Sequence, residues 1–147
     1  CHFRDGGQLP DPSCTPGSID PIVSQADTHA TICKPQWWQK VAPPQAEFQH
    51  ARFRVAYPAY RVAVHADYRL DYLVPLELGG SNDITNLWPA SDPGIDDQKD
   101  MVERQLVEAV CDGDVTLAAA QAAIASDWMT AIHQLGLATG PLGGRRH

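Results

Sequence analysis

Tyr68-Arg-Leu-Asp71-Tyr72-Leu-Val-Pro75-Leu-Glu77-Leu-Gly79-Gly80-Ser-Asn82-Asp-Ile-Thr-Asn86-Leu-Trp88 is the stretch from which the fold is read. Tyr68, Leu70, Tyr72 and Val74 alternate with Arg69, Asp71 and Leu73, the two-residue period of a strand, until Pro75 stops the ladder. Gly79 and Gly80, followed by Ser81, Asn82 and Asp83, supply the turn chemistry that returns the chain along residues 84–88 as a second strand.

Helices flank this hairpin on both sides. After the Pro93-Gly94 turn, Val102, Leu106 and Val110 recur every four residues, which predicts a helix over 95–110. Asp96 and Asp97 stand in its first turn, where the helix dipole favours anions; acidic residues there are also ordinary caps. Thr116 caps a last helix through residue 135, with Leu117, Ile124, Trp128, Ile132 and Leu135 on one face. Its polar members Gln121, Asp127 and His133 exclude a membrane span.

Upstream, residues 1–20 read as a Pro/Gly-rich arm, and 21–31 as a short helix with Asp20 as its N-cap. Residues 43–57 suit a helix closed by Pro58, with Arg52 and Arg54 pointing away from the buried stripe as phosphate contacts or simple solubilising groups. Residues 60–66 read as a strand or extended linker. The adjacent Trp37 and Trp38 invite base stacking, but packing is the commoner fate of such residues. The domain proper is then 21–135, with its core at 68–113, and residues 136–147 form a glycine-rich tail.

A chain of 147 residues with 44% apolar content fits one globular domain. The net charge of −7 is unevenly spread: six basic and two acidic residues from Lys34 to Arg69 give +4, whereas two basic and twelve acidic residues from Asp71 to Asp127 give −10. The first segment could face phosphate and the second hold cations, or both could be solvated faces. Cys1, Cys14, Cys33 and Cys111 lack the close pairs of a zinc ribbon, so disulfides are the expectation, with Cys1–Cys14 and Cys33–Cys111 favoured among three pairings. That predicts a secreted or periplasmic address, with a lipid anchor on Cys1 left open.

At Asp71-Tyr72-Leu-Val-Pro-Leu-Glu-Leu-Gly79-Gly80, Asn86-Leu-Trp88-Pro89, Lys99-Asp100 and Glu103, the chain resembles the ββα-metal core of bacterial secreted HNH-type endonucleases. The flanks around Leu9, Cys33, Pro43-Pro44, Cys111 and Trp128 share in the resemblance, which covers nearly the whole chain. It implies an α+β fold: a ββα-metal, HNH-like core with additional helices on both sides, stapled by disulfides. It also implies a site in which Asp71 and Asp96 hold Mg²⁺ or Mn²⁺, Asn86 orients the base and Lys99 completes the catalytic set. By their charge rather than by the resemblance, Arg52, Arg54 and Arg69 are the nucleic-acid-binding candidates.

Four positions depart from that pattern. Tyr72 replaces the His that serves as general base, Asp96 replaces a His or Asn, Arg69 an acidic residue and Ala42 an Arg. A phenol with an ordinary pKa near 10 accepts a proton poorly at neutral pH, and losing a placed base removes ~10²–10⁴-fold in rate. His65 is a candidate substitute base from outside the motif, although a lone His is more often a surface or packing residue. Two readings result: a divalent-cation nuclease cutting DNA or RNA with reduced or lost activity, or an inactive nuclease fold that binds nucleic acid or a protein partner. The bland alternative is that Asp71 and Asn86 only pin the glycine loop, and against it stands their occurrence together with the Gly pair, Leu-Trp-Pro and Lys99-Asp100 at the expected separations.

Overall fold

The computed structural model describes residues 1–64, 67–91 and 94–137, and of Asp96 only the backbone. Helices α1 (Trp37–Val41), α2 (Gln45–His50) and α3 (Tyr57–Tyr60) precede the hairpin β1 (Tyr68–Tyr72) and β2 (Leu87–Ser91); α4 (Gly94–Cys111), α5 (Leu117–Asp127) and α6 (Ala131–Gln134) follow it. The fold is mixed α/β, built on a two-stranded antiparallel sheet in which Leu70 faces Pro89 and Asp71 faces Trp88.

Because strand side chains alternate, the hairpin separates two apolar clusters. Trp88 and Ala90 join Leu106, Val110, Ile124 and Ile132 in the larger one, against α4, α5 and α6. Leu70 and Leu87 join Ala56 and Tyr57 on the other face, with Phe48, Phe53 and Tyr72 packed around them.

Both favoured disulfides are present: Cys1 with Cys14 and Cys33 with Cys111. The Cys1–Cys14 bridge closes the first segment on itself, while separate bonds hold it to the body. Trp128 Nε1 donates to Gln8 O at 2.8 Å, Asp11 N to the Tyr60 hydroxyl at 3.0 Å, and Gly17 N to Thr85 O at 3.0 Å. Leu9 and Thr15 are buried, so the segment is part of the packed unit. The glycine-rich tail beyond residue 137 and the linker residues His65 and Ala66 lie outside the described residues.

Three boundaries differ from the sequence expectation. Asp20 caps no helix; its Oδ1 takes Ile22 N in a local turn, and a 3₁₀ segment begins only at Gln25–Ala30, where Ser24 N donates to Asp27 Oδ1 at 2.7 Å. The helix expected to close at Pro58 runs on to Tyr60 through a π segment, Ala51–Ala56. The i→i+5 bonding of that segment eases the proline ring past the carbonyl four residues back. The last helix breaks after Asp127, whose Oδ1 takes Met129 N at 3.0 Å, and resumes as α6; the expected face holds, since Leu117, Ile124, Trp128 and Ile132 are all buried.

Candidate functional site

The return strand begins later than the sequence suggested, and Asn86 is the reason. Its side chain replaces ladder bonding across the loop: Oδ1 accepts from Val74 N at 2.9 Å, and Nδ2 donates to Val74 O at 2.8 Å and Ser81 O at 2.9 Å. Residues Ile84–Asn86 are consequently a 3₁₀ turn rather than strand. Gly80 sits so close beneath that a Cβ there would lie 1.7 Å from Val74 O, which only glycine avoids. Asn86 is fully buried, and its amide bonds to the backbone of the loop.

Asp71 has a different job. It lies on the α4 face of the hairpin beside Trp88, whose Nε1 donates to Asp71 Oδ2 at 2.9 Å. The same oxygen is 3.1 Å from Lys99 Nζ, which α4 delivers from below. Lys99 is 1% exposed and spends its ammonium on three acceptors: Asp71 Oδ2, Glu103 Oε2 at 2.7 Å one helical turn on, and the Tyr72 carbonyl at 2.8 Å. Burial alone would depress the ammonium, but the Asp71 and Glu103 carboxylates outweigh it and the net shift is upward. Burial pushes the Glu103 carboxyl up; Lys99 opposes this and the Asp71 charge adds to it, as expected when one cation serves two carboxylates.

Tyr72 lies on the other face of the sheet, opposite Leu87. Its hydroxyl donates to Asn82 Oδ1 at 2.8 Å, and Asn82 Nδ2 in turn donates to Val41 O at 2.8 Å. Burial, aided by Glu77, pushes the phenol up to about 12. It is a proton donor held against α1, and no base at neutral pH.

Of the three arginines expected on nucleic acid, Arg52 is otherwise engaged, contrary to the helical-wheel expectation. It donates to the Tyr57 hydroxyl at 3.0 Å and to Tyr68 O at 3.1 Å, with its guanidinium over the Phe53 and Tyr57 rings, because the π segment turns it inward. Arg54 and Arg69 are exposed. Arg69 borders a cleft of about 260 Å³ that runs past Asp71 and Tyr72, with Trp38, Phe48 and Glu77 among its walls. Glu103 and Glu77 were not singled out as site residues by sequence; the four-residue offset of Glu103 from Lys99 was the available signal.

Asp71 Oδ2 and Glu103 Oε2 already share the Lys99 ammonium, so a metal ion could not bridge these two oxygens without displacing it. Among the described residues no three His, Cys, Asp or Glu side chains gather as a ligand set. The expected partner ligand Asp96 has its side chain outside the described residues, as has the substitute base His65. Comparison with protein-family models, curated proteins and solved structures finds no match to this chain.

Proposed function

We propose that this chain is an HNH-type ββα nuclease scaffold whose cleft binds a target without hydrolysing phosphodiesters, and that it works in an oxidising, extracytoplasmic compartment. A strand, a glycine loop, a second strand and a helix follow one another along the chain, an order that supports this reading, with α4 packed on β2. Two disulfides support the compartment, and among the described residues no helix is long and apolar enough to cross a membrane.

One observation carries the loss of hydrolysis: the Lys99 ammonium seated on Asp71 and Glu103. The carboxylate that would hold a metal is neutralised from within the chain, and the phenol at the base position donates its proton elsewhere. Phosphodiester cleavage at such a centre needs both a cation on the phosphoryl oxygens and an activated water, and neither group here is available to supply them.

The test is cleavage of supercoiled plasmid and single-stranded RNA by stoichiometric protein in Mg²⁺, in Mn²⁺ and in chelator. Intact substrate in every condition is expected. Nicking that appears with metal and disappears with chelator would overturn the proposal.

A further inference from the structure

Most of the cleft is lined by elements built into the core: Leu70, Asp71 and Tyr72 come from β1, and Asp100 and Glu103 from α4. Trp38 comes instead from α1, a helix of five residues in which Trp38, Gln39 and Lys40 are exposed. So short a helix has too few internal hydrogen bonds to hold itself, and its place depends on what grips its ends.

At the leading end the grip is costly. Trp37 packs its ring against the larger apolar cluster, a short way beyond the Cys33–Cys111 bridge. Gln36, immediately before it, takes φ +61° and ψ 28°, the left-handed region in which a Cβ is strained. The Trp37 Nε1 is buried with no hydrogen-bond partner among the described residues, a cost that buried N–H groups rarely carry.

At the trailing end the grip is light. Val41 O accepts from Asn82 Nδ2 at 2.8 Å, and Asn82 Oδ1 accepts from the Tyr72 hydroxyl at 2.8 Å. Asn82 is exposed, so water competes at both bonds. Tyr72 itself is firmly placed, its ring stacked on Phe48 at 6.2 Å with planes 23° apart. Burial, with Glu77 beside it, keeps the phenol protonated, so the donor at the root of this relay is not lost near neutral pH.

We propose that α1 is a hinged wall of the cleft, turning about Gln36 and Trp37, and that the Tyr72 hydroxyl, acting through Asn82 on the Val41 carbonyl, is the latch that holds Trp38 in place. The strained Gln36 and the unpaired indole disfavour the latched arrangement while the relay favours it, so a small change decides between the two. Tyr72 is then a positioning residue: the ring that lines the cleft carries the hydroxyl that sets how far the cleft opens. The latch operates whether the cleft binds or cuts.

The experiment is fluorine NMR of the intact, disulfide-bonded protein carrying fluorotryptophan. Its four tryptophans report separately: Trp37 at the hinge, Trp38 on the wall, and Trp88 and Trp128 in the core, where they are 0% and 2% exposed. Trp37→Phe and Trp38→Phe assign the first two signals and leave the core pair. Tyr72→Phe keeps the ring on Phe48 and removes only the O–H, and Asn82→Ala changes an exposed side chain. In each, the open-to-latched ratio of α1 should rise about twofold to tenfold, the worth of one net hydrogen bond, seen as a larger heavy-water isotope shift at Trp38. The double variant should move Trp38 no further than Asn82→Ala alone, because both changes cut one relay, and the core pair should stay where it is. A Trp38 signal unchanged in either single variant, core signals that move as far as Trp38 does, or a double variant displaced by the sum of the two would each overturn the latch.

Discussion

Replacing Lys99 with Met keeps most of the length and volume of the side chain but removes the charge that Asp71 and Glu103 share. The ammonium is 1% exposed and lies 3.1 Å and 2.7 Å from the two carboxylates, so its loss leaves two nearly buried carboxyl groups without their shared cation, and the pair must carry unpaired charge or take up a proton. Breaking a buried pair in this way costs about 3–5 kcal/mol, and the residual exposure of the carboxylates argues for the lower end. With a urea dependence of about 2 kcal/mol per M, the unfolding midpoint of Lys99→Met should fall by about 1.5–2.5 M at pH 8. At pH 5 the carboxylates take up protons more easily, and the deficit should shrink. A midpoint shift below about 0.3 M at pH 8, or a larger loss at pH 5 than at pH 8, would refute the ion-pair reasoning.

Glu103→Gln tests the same cluster from its acid side. The Glu103 carboxyl is raised above its ordinary 4.5, so the folded state keeps a proton that the unfolded chain has lost; stability therefore falls as pH rises above 4.5 towards the raised value, and urea midpoints across that range should show a flatter profile in the variant. Of the two disulfides, Cys33–Cys111 spans 78 residues and Cys1–Cys14 only 13, so loop-closure entropy assigns them about 4.5 and about 3 kcal/mol, and thermal melts should rank the paired Cys→Ser variants in that order. Tyr72→His alone should leave plasmid uncut in Mg²⁺, because Lys99 still occupies the carboxylates; cleavage by that single variant would show that the base was the only thing missing.

The hairpin, the long helix after it and both disulfides were legible because each rests on a local or countable signal: two-residue alternation, four-residue spacing, four cysteines without a zinc pattern. Asn86 was read as the residue that orients a base, with loop pinning as the alternative, and its amide bonds run to the loop backbone. The surroundings of Asp71 were not legible, because they come from Trp88 on the other strand and from Lys99 and Glu103 on a helix, and no local pattern states that α4 turns an ammonium inward. Arg52 escaped for a related reason: a π segment shifts side chains off the 3.6-residue wheel that placed it outside. The continuation of that helix through Pro58 has the same origin.

Lys99 is the resident cation of the Asp71–Glu103 pair. Titration of Mn²⁺ followed by electron paramagnetic resonance of the free aquo ion reads this directly, in the parent chain and in Asp71→Asn. The account predicts no stoichiometric Mn²⁺ uptake by the parent at neutral pH and no difference in Asp71→Asn. One Mn²⁺ bound per chain, and lost in Asp71→Asn, would contradict it.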